Sequence, residues 1–278
     1  MALNFEIIGK RSETYSFKYD YKDCAVYALG IGAQPDELDF LYEGVEGGMK
    51  VFPTFAVIPA TQALFDAIGW VRADLTRLLH GEQGVVLYRT IPPSGEILTS
   101  WLVTHIHDKG KGALIVIKSE STTACGEKLF DNVFSIYVRG EGGFGGDKGP
   151  EPEKFEPAGR PPSFHVEYKT LETQALLYRL NGDANPLHAY PPFARMSGFE
   201  KPILHGLCTL GFASRAVLNS VCGGNPTGIK TITARFSNIV YPGDTIITDG
   251  WETGGGKYAC MVSTQRGAPV ITNFFVQT

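Results

Sequence analysis

The sequence predicts an α+β chain made of two like units. Three observations carry this. Each half begins with an apolar, helical or irregular stretch and continues as strand-like runs. A segment crowded with Gly, Pro and charge, Glu141 to Pro162, separates the halves. The halves also share residues at a constant offset of 151: Tyr27 with Tyr178, Leu29 with Leu180, Ala33 with Ala184 and Pro35 with Pro186. IPPSGEI and VYPGDTI repeat the likeness at nearly that spacing. An internal duplication accounts for all of these.

The expected units are residues 1–140 and 163–278, joined by a linker over 141–162. In the first unit GVVLYRTI, ILTSWLVTHIHDK, GALIVIKSES and NVFSIYVRG are rich in β-branched and aromatic residues and are broken by turn signals. In the second, IKTITARFSNIVYP, DTIITDGWET, KYACMVSTQR and PVITNFFVQ repeat the pattern. HGLCTLGFASRAVLNSV contains no proline, and Leu207, Leu210, Ala213 and Val217 recur at helical spacing. That predicts a buried helix.

The bulk properties exclude several roles. The 278 residues are 43% hydrophobic and 19% charged, enough apolar matter for a sizeable core. A net charge of −4 argues against a nucleic-acid backbone as partner. Five cysteines without a C-x-x-C pair argue against a disulfide framework or a structural zinc site. The first residues lack the apolar core of a signal peptide. No run reaches the roughly 18 consecutive apolar residues of a membrane span, so no membrane partner is expected.

The chemistry concentrates in LYRLNGDANPLHAYPPFARM, Leu177 to Met196. Asn185-Pro186 is a helix start, with Asn as cap and Pro first in the helix. Asp183 then lies just before the helix and His188 in its first turn, so both side chains can face one space. A carboxylate and an imidazole there suit holding one water and moving protons near neutral pH. The same residues also suit a plain capped turn. The duplication separates the readings: at offset 151 Gly32 stands for Asp183 and Glu37 for His188, so the turn framework repeats and the polar pair does not. No fourth ligand accompanies Asp183, Asn185 and His188, so no metal is expected. Gly206 begins the predicted helix, whose free N–H groups could stabilise charge developing on a carbonyl oxygen. Gly206 could equally serve close packing, and His205 reads as structural.

Gly-Asp-x-Asn-Pro-Leu-His, then Pro-x-x-Ala and Ile-Leu-His-Gly-Leu-Cys-Thr, resembles the hydratase 2 (MaoC-like) family. Leu79-His80-Gly81-Glu82-Gln83, Asp108-Lys109-Gly110 and the run Gly142 to Gly146 resemble its longer, two-unit members, including the hydratase part of peroxisomal multifunctional β-oxidation enzymes. The resemblance implies a double hot-dog fold and reversible, cofactor-free hydration of trans-2-enoyl-CoA to (3R)-3-hydroxyacyl-CoA. It implies Asp183 and His188 as the catalytic pair, Gly206 as the donor to the thioester carbonyl, and Asn185 as their support. It also implies His80, Gly81, Lys109 and Phe236 as acyl-CoA contacts, a homodimer, and a first unit that holds the acyl chain without catalysing. Tyr190 departs from the family pattern. Dehydration of a specialised 3-hydroxyacyl thioester, or acyl-CoA binding without catalysis, are the alternatives. The location expected is cytoplasmic for a bacterial protein and peroxisomal for a piece of a eukaryotic one.

Overall fold

The computed structural model describes residues 3–157 and 159–278. In chain order its elements are β1 (Tyr15–Tyr19), α1 (Tyr21–Gly30), α2 (Thr61–Val71), β2 (Leu78–Leu87), β3 (Gly95–Asp108), β4 (Gly112–Thr123) and β5 (Lys128–Arg139). The second half holds β6 (Phe164–Lys169), α3 (Gln174–Tyr178), α4 (Pro191–Met196), α5 (Gly206–Cys222), β7 (Thr231–Phe236), β8 (Thr245–Gly254), β9 (Lys257–Thr264) and β10 (Pro269–Gln277).

All ten strands form one antiparallel sheet in the order β1-β3-β4-β5-β2-β7-β10-β9-β8-β6. From either edge inward, the strands of each half follow the sequence first, third, fourth, fifth, second. The two halves therefore meet back to back at the β2–β7 seam, where Glu82 pairs with Arg235 and Val86 with Thr231. The fold class is the expected α+β.

Each half lays one long helix on its part of the sheet. Ala63, Leu64, Ala67, Ile68 and Val71 of α2 pack on Trp101, Ile115, Ile117 and Phe134. Every residue of α5 from Cys208 to Leu218 is buried. The run Pro53–Val71 is long and apolar enough on average to cross a bilayer, but polar residues interrupt it and 67% of its apolar window is buried inside the protein, as in a core segment.

The duplication also organises the contact between halves. Tyr27 of α1 faces its counterpart Tyr178 of α3, ring centres 6.1 Å apart. The last carbonyls of α1 lack helical partners. Gln174 donates to Leu29 and Gly30, at 3.2 and 2.8 Å, and the Cys208 thiol lies 3.3 Å from the Gly30 oxygen. Gly211 lets α5 approach this turn: a Cβ there would sit 2.3 Å from the Ile31 side chain. Glu37 reaches from the first half to α5, where the Arg215 guanidinium grips its carboxylate at 2.6–2.9 Å and Asn219 donates to it at 2.8 Å.

Four parts of the chain differ from expectation. β1 and β6 are short edge strands that the sequence reading passed over. β2 begins at Leu78, ahead of the expected run at Gly84, and its pairing with β5 slips between His80 and Glu82, leaving Gly81 as a bulge. The segment 141–162 has no helix or strand among its described residues, but it is tied down rather than free. The Asp108 carboxylate accepts from Gly143 and Gly145, Glu153 pairs with Lys257 at 2.6 Å, and Phe155 packs on Trp251.

Candidate active site

The motif loop is built from short-range hydrogen bonds. A single 3-10 turn, Arg179–Asn181, follows α3 and stops at Gly182, whose φ of 115° suits glycine. The Asp183 carboxylate accepts from the Asn185 N–H at 3.1 Å, and the Asn185 side chain accepts from the Leu187 N–H at 3.0 Å. Pro186–His188 form a second 3-10 turn. Pro191-Pro192 then start α4, because proline tolerates the first helical positions.

His188 is buried, and its Nδ1 lies 2.8 Å from the Ile203 carbonyl oxygen. A carbonyl only accepts, so Nδ1 carries the proton and Nε2 is the bare nitrogen. Burial pushes the imidazole below its ordinary value, although the Asp183 charge and the Ile203 carbonyl pull it up. His188 is thus a neutral imidazole, with one ring nitrogen within 4.8 Å of an Asp183 carboxylate oxygen.

The next turn brings the helix end. Leu204 is pinned by its N–H to the Val240 carbonyl at 2.7 Å, and α5 starts at Gly206. No side chain caps it: His205 occupies the N-cap position but makes no cap bond. The first-turn N–H groups therefore stay free, at the positive end of a 17-residue helix. A Cβ on Gly206 would lie 3.2 Å from the Phe236 ring, so close packing is one reason for a glycine here.

His205, which the sequence marks as structural, lies inside the cluster. It is 2% exposed, and its ring stacks on that of His188 with centres 3.7 Å apart. Its Nε2 lies 3.4 Å from the Asp183 carbonyl oxygen, and its Nδ1 has no partner. Burial pushes its imidazole down to about 2, with His188 and Arg179 adding to the effect. Its position before a helix-starting glycine was the one sequence signal for it.

Asp183, His188 and His205 offer potential ligand atoms within 4.8 Å of one another, the one such trio found among the described residues. A shared ion must lie near both ring planes, about 3 Å from each ring centre. Planes only 27° apart, with centres 3.7 Å apart, converge roughly 8 Å away if the rings overlap face to face, so one ring would have to turn to bind an ion.

The expected acyl-CoA contacts fall into two places. His80 packs on Phe236 at 4.9 Å, and Phe236 lies against Gly206, so these line the β2–β7 seam beside the helix start, with Gly81 in the adjoining bulge. Burial pushes the His80 imidazole down to about 4. Lys109 stands apart in the β3–β4 turn, where its ammonium donates to the Lys148 carbonyl. Asn185 is exposed, and so is Tyr190, at the start of α4. A groove of about 440 Å³ lies at the opposite end of the seam, between Leu87–Ile91 and Pro226–Lys230, away from Asp183 and His188.

Known proteins resemble both halves. The description "MFE-2 hydratase 2 N-terminal domain" matches residues 17–140, and "MaoC like domain" matches residues 154–273. The chain is 40% identical to a probable enoyl-CoA hydratase 2 of Dictyostelium discoideum, over 89% of this chain and 86% of that protein. It is 38% identical to the peroxisomal multifunctional enzyme type 2 of Mus musculus, over 97% of this chain but only 38% of that longer protein. A crystal structure of a MaoC-like dehydratase from Phytophthora capsici superposes with a TM-score of 0.90 at 34% identity, covering 99% of this chain and 98% of that one.

Proposed function

Since the chain belongs to the MaoC-like hydratase 2 family, we propose that it is a 2-enoyl-CoA hydratase that reversibly converts trans-2-enoyl-CoA to (3R)-3-hydroxyacyl-CoA at Asp183, His188 and Gly206. The observation that carries this reading is the convergence of a carboxylate, a neutral imidazole and an uncapped helix start in one small region.

C3 of an enoyl thioester becomes electrophilic when its carbonyl is polarised. The Gly206 N–H donates to the thioester oxygen, and the end of α5 stabilises the enolate charge that develops there. One water donates its two protons toward the Asp183 carboxylate and the His188 Nε2. Its oxygen forms the bond to C3 as one proton passes to this pair, and the pair returns that proton to C2. All atoms of the water end in the product, so no cofactor enters the balance. The Asn185 N–H holds the Asp183 carboxylate, and His80, Gly81 and Phe236 border the thioester. Lys109 serves the more distant CoA.

Residues 1–140 form a non-catalytic unit that receives the acyl chain, 141–162 strap it to its neighbour, and 163–278 carry the chemistry. The substitution of Glu37 for His188 supports this division, because Glu37 is committed to Arg215 and Asn219. Homodimeric assembly belongs to the same proposal. The test is loss of enoyl absorbance with crotonyl-CoA and longer trans-2-enoyl-CoAs, with chiral analysis of the product. Hydration to the 3R alcohol is expected. Tight CoA binding with no turnover at any chain length would instead make this an acyl-CoA-binding protein.

A further inference from the structure

His205 touches both members of the proposed pair and takes no part in the proposed proton transfers. Its ring covers one face of His188, and its Nε2–H points at the Asp183 carbonyl. Tyr178 packs on it with ring centres 4.9 Å apart. Capping residues such as Ser or Asp would place an oxygen over the first-turn N–H groups of α5. A histidine at this N-cap makes no such bond and turns toward the loop instead.

We infer that His205 is a positioning residue for the hydration: its ring sets the plane of His188 and keeps that face dry, while its Nε2–H holds the Asp183 backbone in place. The inference rests on the reaction proposed for Asp183 and His188. The charged and titratable groups facing the two rings are Asp183 in the loop and Arg179 in the preceding turn, and the ring of Tyr178 packs on His205. Asp183 favours a proton on His188 and burial opposes one. Stacking His205 over His188 adds to that burial. His205 does not compete for the migrating proton, since its own imidazole stays neutral far below physiological pH.

Two substitutions divide its two contacts. His205→Phe keeps an aromatic face on His188 and loses the donor to Asp183. His205→Gln keeps a donor and loses the face. With His188 acting in its neutral form, kcat falls as pH drops through its pKa. For His205→Phe we expect kcat roughly 10- to 100-fold lower, KM little changed and the acid limb of the kcat profile in place, as misplacement of a reacting group produces. For His205→Gln the acid limb should move up toward the ordinary histidine value of about 6.5. Wild-type kcat and an unmoved acid limb in both variants would overturn the inference. If His205→Gln does not fold, His205→Asn takes its place, and imidazole NMR compares His188 in the folded variant and in the unmodified protein: its pKa should rise in the variant, and an unmoved His188 titration overturns the inference. The NMR result stands even if the protein hydrates no enoyl-CoA, so failure of the reaction and failure of the positioning role are distinguishable.

Discussion

Replacing Glu37 by alanine would strand the Arg215 cation inside the protein. The Arg215 side chain is 2% exposed and that of Glu37 12%. The guanidinium binds both carboxylate oxygens, lies 4.0 Å over the Tyr168 ring and has no other anionic partner within salt-bridge distance among the described residues. Burial alone would raise the Glu37 carboxyl, but the hydrogen bonds from Arg215 and Asn219 outweigh it and hold the group below its usual value. Removing one partner of such a pair typically costs about 3–5 kcal/mol, because the other charge stays buried. For a chain of this size that corresponds to a drop of about 10 °C in Tm. The double variant Glu37→Leu/Arg215→Met removes both charges and should recover most of the loss. Urea and thermal denaturation of the three variants measure this, with enoyl-CoA turnover per folded molecule as a control. A loss below about 1 kcal/mol for Glu37→Ala, the value of a surface pair, would refute the claim that this contact locks the first unit onto α5.

Other outcomes follow from the same geometry. Gly206→Pro removes the N–H at a position where proline suits a helix start, and His205, at φ −61° and ψ 137°, already has the backbone that precedes proline. Its kcat should fall about 10²–10³-fold, far more than for Gly206→Ala, which keeps the N–H; equal losses would point to packing against Phe236 alone. His205 is depressed from about 6.5 to about 2, so the unfolded chain binds the extra proton first as pH falls. The stability it contributes is full above pH 6.5 and declines below, by about 3 kcal/mol at pH 4.5. His205→Phe should lack that part of the acid sensitivity in denaturation at pH 7 and pH 4.5, and an unchanged difference would contradict the burial of a neutral ring. Gly211→Val should destabilise the protein by several kcal/mol, since its side chain would overlap Ile31 across the two halves; a loss under 1 kcal/mol in urea denaturation would show that α5 can shift.

Most of the strand pattern was legible because period and turn chemistry are local properties. PVITNFFVQ is β10 without adjustment. The edge strands were not, although Tyr15-Ser16-Phe17-Lys18-Tyr19 alternates, because five residues with one neighbour give too short a signal. Gly206 was readable as the start of α5 because a helix of buried residues follows it without a break. His205 and Arg215 were not readable as partners of His188 and Glu37. Their contacts span 17 and 178 residues, and nothing local marks a side chain for a partner so distant in sequence.

The most direct measurement is kcat for trans-2-enoyl-CoA hydration by the wild type and by Asp183→Asn and His188→Ala, each checked for folding. The expected result is a wild type that forms the 3R alcohol and variants that lose about 10²–10⁴-fold each, the usual contribution of one acid/base group. Near-normal turnover in either folded variant would contradict the assignment of water activation to this pair.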